Sequence, residues 1–365
     1  MNKGQDKTIL LVLLVLFIIA GGFYTLYGRI FLDAGFYLNA SREVYRGQMP
    51  YRDFFFVQGP VYPYVYGLPL KMIGYRVLYA RWISLAFGIA TMILATWLAG
   101  RLKAGGMGQI LTLAALATVP YQAYFFISVK LYALTGFFLV MSFVFLSCRF
   151  ADSLRYTLGL IFILLAAGTR LTMVPVVFVV VGYVIYDSIK ERRRFPWIPL
   201  LAVSALAAFM AGPFMIADHE AVLYNLIGIH TSAASGPYLF GFKKQVKVLI
   251  KILVFYPLIT MMLLNIFKNM LSKQRLPSLS KLEWTLIISV VLATLTHLTA
   301  NWFSVGYQSP VMPLIAVLLG TITGRQLGDT RPTRTILIAA LLWIGATWAL
   351  SWNQNIWRQD LTTIR

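Results

Sequence analysis

Acidic side chains are scarce in this sequence. Its 365 residues hold 12 aspartates and glutamates against 32 lysines and arginines. Charged residues of both signs make up 12% of the chain, where an ordinary soluble domain carries about 25%. Cysteine is nearly absent. Cys148 stands alone inside an apolar run, which excludes an intramolecular disulfide and a thiolate metal site. No fixed-period repeat, low-complexity tract or soluble domain stands out, and none is expected at the C-terminus. What the chain does have is apolar surface. Hydrophobic residues reach 59% and mean hydropathy is +0.75. Apolar runs near the length of a bilayer crossing recur from end to end, and they are continuous rather than alternating. That pattern describes an all-α polytopic membrane protein and argues against a β-barrel.

The formal net charge of +20 would suggest nucleic acid in a soluble protein. Here the basic residues fall between apolar runs, so their expected partners are anionic lipid headgroups, and no nucleic acid is expected. About eleven spans are expected, near 8–27, 78–99, 108–123, 131–148, 156–168, 172–189, 198–216, 246–267, 284–300, 311–323 and 335–352. The basic start and long apolar core of the N-terminus read as an uncleaved first span with its N-terminus in the cytoplasm. The run KERRR at 190–194 is the clearest cytoplasmic marker. Residues 1–365 thus read as one membrane-embedded unit of a plasma membrane, of bacterial kind. Two non-spanning segments face outward, 29–75 and 217–245.

Segment 29–75 is too polar to cross a bilayer and too aromatic for an idle loop. Its first part, DAGFYLNASREVYRG, reads as a short interfacial helix. Tyr37, Ala40, Ser41, Val44 and Tyr45 share one face; Asn39, Arg42, Glu43 and Arg46 share another. Asp33 stands at the N-cap position and Gly47 where the helix should stop. Pro50, Pro60 and Pro63 then impose extended or turning chain. An ionisable group at membrane level is a functional candidate. Asp33 can cap the helix, or act as a general base taking a proton from a hydroxyl. Asp53 can pair with Arg52, orient a hydroxylic substrate, or order the loop. The surrounding aromatics, Tyr62 among them, suit interfacial anchoring, and some suit stacking on a sugar or an isoprenoid chain.

The order Asp33, Tyr37, Leu38, Ala40, then Gly47, Pro50, Tyr51, Arg52, Asp53, Phe54, then Gly59-Pro60 and Gly74 before Arg81, resembles the first half of GT-C glycosyltransferases. The likeness is to those of family 39 and of the ArnT-like kind, multispanning enzymes that use polyprenyl-phosphate sugars. It returns weakly at Gly168–Thr172 and at Tyr307-Gln308-Ser309-Pro310 with Pro313. Ala34 stands where an Asp-Glu pair would put its second acid. The resemblance implies Asp33 as catalytic base, Asp53 as supporting acid, a polyprenyl-phosphate sugar as donor, and direct displacement with inversion on the extracytoplasmic face. A phosphate leaving group calls for basic side chains; the candidates are Arg170, Lys243, Lys244 and Arg81. Tyr37, Arg52, Tyr62 and His297 are the candidates for the acceptor or sugar. No cofactor is required by the sequence. A divalent metal is the one cofactor the chemistry admits, and Asp218 and Glu220 beside His219 are its only candidates; adjacent helical residues diverge, which makes a shared metal a poor fit.

The competing reading is a flippase or transporter for a lipid-linked saccharide. Such proteins show internal repeats and polar groups at mid-membrane, whereas the acids here gather near the outer surface. A ligase or polymerase of lipid-linked glycans is a third reading, and it should rest on Arg and His rather than on Asp33.

Overall fold

A computed structural model of the chain describes residues 3–30, 33–191, 194–232, 239–272, 277–298, 304–328 and 334–353. These residues form α1 (Lys3–Tyr27), α2 (Ala34–Val44), α3 (Val61–Ile73), α4 (Val77–Arg101), α5 (Gly105–Ala117), α6 (Pro120–Ile127), α7 (Tyr132–Ser147), α8 (Asp152–Thr169), α9 (Val174–Lys190), α10 (Trp197–Leu223), α11 (Ile229–Ser232), α12 (Leu239–Phe255), α13 (Pro257–Leu271), α14 (Lys281–Leu298), α15 (Val305–Gln308), α16 (Met312–Leu327) and α17 (Arg334–Asn353). Among the described residues the only β-type pairing is an isolated bridge between Pro50 and Phe54. The fold is all-α, as the continuous apolar runs require.

Among the described residues six helices are long and apolar enough to cross a membrane, or up to eight spans if each of two bent helix pairs counts as one. Three further apolar helices are shorter, so the expected count of eleven is not established. Both bent pairs break at a proline. α5 and α6 meet at 67° around Pro120, and α12 and α13 at 97° around Pro257. Proline brings no N–H to the helical ladder and its ring crowds the preceding turn, so an apolar run that contains one bends there. The indole N–H of Trp348 on α17 donates to the Thr118 carbonyl at the first break, at 2.9 Å. Segment 217–245, expected as a non-spanning outer segment, is helical over most of its described length. α10 continues through a kink at Asp218, whose φ is −164°, and a π-helical turn follows at Tyr224–Gly228.

α4, α5, α7, α8 and α16 form the centre of the bundle: α7 lies along α8, α4 lies against α7 and α5, and α16 lies along α5. Gly320 and Gly324 of α16 let the α5–α16 pair approach closely. A Cβ on Gly324 would fall 2.6 Å from the Gly108 Cα, and one on Gly320 would fall 2.2 Å from the Thr112 Oγ1. This is the small-residue spacing that brings helices together in lipid, where no hydrophobic drive separates protein from solvent.

The two ends of the bundle differ. One end carries α2 and α3, the C-terminus of α1, the α6–α7 turn and the C-termini of α8 and α14. The other end carries an ion-pair network. There the Asp187 carboxylate accepts from Arg155 at 3.0 Å, from the Tyr156 hydroxyl at 2.6 Å and from Lys281 at 3.0 Å. Arg325 pairs with the fully buried Glu283 at 2.8 Å and donates to the Ser278 and Leu102 carbonyls.

Candidate active site

Asp33 immediately precedes α2. Its carbonyl accepts the Tyr37 N–H, but its carboxylate makes no cap. The carboxylate instead meets Lys130, in the turn between α6 and α7, with Oδ2–Nζ 2.7 Å. The Asp33 side chain is 53% exposed and that of Lys130 12%. A carboxylate at an open mouth is therefore held from below by a largely buried ammonium.

Arg170 leaves the end of α8 in extended backbone, φ −142° and ψ 113°, which ends the helix and lets its long side chain turn inward. The residue is only 5% exposed. Its guanidinium carbon lies 5.1 Å from the centroid of the Tyr132 ring and 4.5 Å from that of Tyr307. Its Nε–H donates to the Thr172 Oγ1 at 3.0 Å. Among the described residues no carboxylate pairs with it. Ring faces and a hydroxyl offset only part of the desolvation of a buried cation. An anion entering here would complete the charge balance.

Tyr37, one turn beyond Asp33, connects the two halves. Burial pushes its phenol well above the usual range; Tyr132, Asp33 and Tyr307 add to the rise and Arg170 opposes it. Tyr307 is raised by burial too, with Arg170 and Lys130 opposing and Tyr132 and Asp33 adding. Both phenols thus lie within electrostatic reach of Asp33 and Arg170. Asp33, Tyr37, Lys130, Tyr132, Arg170 and Tyr307 form one cluster.

Close contacts hold the cluster's parts together. A Cβ on Gly59 would fall 2.1 Å from the Gly168 carbonyl oxygen, and one on Gly168 would fall 2.8 Å from the Val61 Cγ2. Two stretches that the resemblance singled out, Gly59-Pro60 and Gly168–Thr172, thus touch backbone to backbone, and only glycine permits it. The Gln122 amide of α6 donates to the Ser309 carbonyl at 3.2 Å and accepts from the Tyr256 hydroxyl at 2.8 Å.

The other sequence candidates are placed differently. Asp53 is clasped by Arg52, with Nε–Oδ1 2.8 Å and Nη2–Oδ2 2.9 Å, and accepts the Met49 N–H at 2.7 Å. These bonds hold its carboxyl down at about 2, with Arg52 the larger cause and the Met49 N–H the next. Within that clasp Tyr51 takes φ 73°, a conformation uncommon for a non-glycine residue. Its hydroxyl bonds the Gln58 carbonyl at 2.7 Å and its ring packs edge-on against Phe214. Arg52 and Asp53 therefore order the loop. Arg81 donates to the carbonyls of Thr25, Gly28 and Arg29, at 3.1, 2.8 and 2.8 Å, and so closes the C-terminus of α1. Tyr62 is fully buried, stacked on Tyr66 at 4.2 Å and edge-on to Tyr37 at 5.3 Å. Its ring backs the cluster rather than facing out. His297 is buried behind Arg170 and reaches it through Thr172. Lys243 and Lys244 belong to α12, but their side chains lie outside the described residues, as does that of His230. Asp218 accepts the Ala221 N–H at 2.9 Å and Glu220 is exposed. Among the described residues no group of three or more His, Cys, Asp or Glu side chains is placed to hold a metal ion.

Lys130 and Tyr132 were not singled out by the sequence, and Thr172 entered only as the last residue of the weak Gly168–Thr172 likeness. Lys130 had a signal: it is the one charged residue between Lys103 and Arg149. The aromatics had none, since the chain contains 20 tyrosines.

No family model matches the sequence, and no curated protein matches it. Solved structures do match. The crystal structure of ArnT from Cupriavidus metallidurans bound to undecaprenyl phosphate superimposes with a TM-score of 0.70 at 15% identity, covering 96% of this chain and 64% of that one. The apo state of that protein gives a TM-score of 0.62 at 13% identity, covering 95% and 64%. The chain has an ArnT-like GT-C fold, and spans 64% of the length of the proteins it matches.

Proposed function

We propose that this chain is an integral-membrane glycosyltransferase that moves a sugar, hexosyl or pentosyl, from a polyprenyl phosphate to a lipid, glycan or protein hydroxyl on the extracytoplasmic face. The observation that carries the reading is the buried Arg170, without a carboxylate partner among the described residues, beneath the exposed Asp33. A base and an anion site side by side are what the reaction needs. The acceptor oxygen attacks the anomeric carbon while Asp33 takes the hydroxyl proton. The bond from that carbon to the phosphate oxygen breaks, and the electron pair leaves on the phosphate. Arg170, with Lys130 nearby, stabilises the charge that develops there. One displacement inverts the anomeric centre. Undecaprenyl phosphate in the matched ArnT structure supports a polyprenyl carrier for this chain.

The test is transfer in proteoliposomes with a panel of polyprenyl-phosphate sugars, following released polyprenyl phosphate by mass spectrometry. The expected result is release by the wild type and none by Asp33→Asn. Donor crossing the bilayer intact, with no release from any donor or acceptor, would replace this reading with the transporter.

A further inference from the structure

Four hydrogen bonds run in series behind Arg170, and each sets the direction of the next. The Gln308 Nε2 donates to the Thr294 Oγ1 at 2.7 Å, so its Oε1 is the atom turned toward His297 Nδ1, 3.0 Å away. An amide oxygen only accepts, which puts a proton on Nδ1. His297 Nε2 lies 3.1 Å from the Thr172 Oγ1, and that oxygen already accepts the Arg170 Nε–H at 3.0 Å. The Thr172 hydroxyl proton is then free to point at a bare Nε2. A second proton on the ring would place a buried cation beside the Arg170 guanidinium, and among the described residues the nearest carboxylate of the cluster, Asp33, is paired with Lys130. The neutral ring with Nδ1 protonated is the form that satisfies all four bonds.

Arg170 needs such a support. A guanidinium on a long side chain loses rotamer freedom when it is fixed, and among the described residues no carboxylate pairs with it to orient it. Engaging Nε leaves outside the chain the paired Nη groups, the fork that matches phosphate oxygens. Tyr307 closes the arrangement, stacked on Arg170 and edge-on to the His297 ring at 6.0 Å.

We propose that His297, neutral and protonated at Nδ1, is a positioning residue that fixes the Arg170 guanidinium through Thr172 and so sets how tightly the site holds a phosphate. This rests on the reading of Arg170 as the donor-phosphate group. The probe is undecaprenyl phosphate binding to the full chain in nanodiscs, together with donor KM and kcat. Thr172→Val keeps the shape and removes the hydroxyl. It should raise the Kd about tenfold, the loss of one hydrogen bond to a charged group, and raise donor KM more than it lowers kcat. Thr172→Ser should restore binding, and adding His297→Phe to Thr172→Val should add little, because the chain is already cut. With only three histidines present, a chain carrying His219→Ala and His230→Ala reports His297 alone. Its imidazole nitrogen-15 spectrum should show Nδ1 protonated and Nε2 bare.

A protonated Nε2 in that spectrum would overturn the proposal, even if Thr172→Val did not fold. So would wild-type binding by Thr172→Val while Arg170→Ala binds weakly, and there the phosphate reading would survive. Wild-type binding by Arg170→Ala would instead remove the phosphate reading itself.

Discussion

Asp33 and Asp53 are both acids of one loop, and the structure gives them different partners. The Asp33 carboxylate is half exposed and held by one lysine. Asp33→Asn should lower kcat by about 10²–10⁴-fold, the usual contribution of a general base, with thermal stability near wild type. Lys130→Met should also slow transfer, and Lys130→Arg should recover part of the rate, since the ion pair with Asp33 survives in that variant alone; the proteoliposome assay reads both. Asp53 behaves oppositely. Its carboxyl is held below the ordinary value, at about 2, by the Arg52 clasp and the Met49 N–H. A depressed carboxyl stabilises the fold above its unfolded pKa, about 3.9, and that stabilisation is lost as pH falls through about 2. The melting temperature of Asp53→Asn should therefore lie below that of wild type near neutral pH and converge with it toward pH 2. Equal melting curves at neutral pH would show that the clasp contributes nothing.

At the scale of elements, the helices were legible and their interruptions were partly so. Spans near 131–148 and 335–352 agree with α7 and α17 within two residues, because apolar length is written locally. Spans 108–123 and 246–267 each contain a proline, and each is broken there into two helices. What no local pattern revealed is the contact of Gly59 with Gly168, since close approach is a property of two segments at once. Gly59→Ala would drive a methyl into the Gly168 carbonyl. The strain should lower stability by about 1–3 kcal/mol and raise donor KM, because Arg170 follows Gly168 by two residues. A drop in melting temperature with unchanged KM would uncouple this contact from the site.

Across the whole molecule, the Asp33–Arg170 cluster and the Glu283–Arg325 pair occupy opposite ends of the bundle. Glu283 and Arg325 tie α14, α16 and the α4–α5 turn at the end remote from Asp33. Glu283→Ala leaves a largely buried arginine without its carboxylate and should destabilise the protein by about 3–5 kcal/mol, seen in thermal unfolding, while donor KM stays at the wild-type value. The same separation explains how an ArnT-like shape persists at 15% identity. Lipid-facing and bundle-facing positions need apolarity and fitting volume rather than particular residues.

The sequence by itself determined that the chain enters a membrane as a bundle of helices, and it marked 29–75 as a stretch too polar to be one of the spans. Both follow from local quantities, the length of an apolar run and the cost of polar backbone in hydrocarbon. It also named Asp33 and Arg170 as candidates, because charge at membrane level is expensive wherever it occurs. Only the tertiary structure decided that Asp33 meets Lys130, that Arg170 lies between Tyr132 and Tyr307, and that Arg81 meets three carbonyls, Asp53 meets Arg52 and Tyr62 stacks on Tyr66. These are meetings of side chains from distant segments, and they depend on helix breaks and glycine contacts that set distances to within an ångström. Hydropathy averages over whole turns and carries no such information.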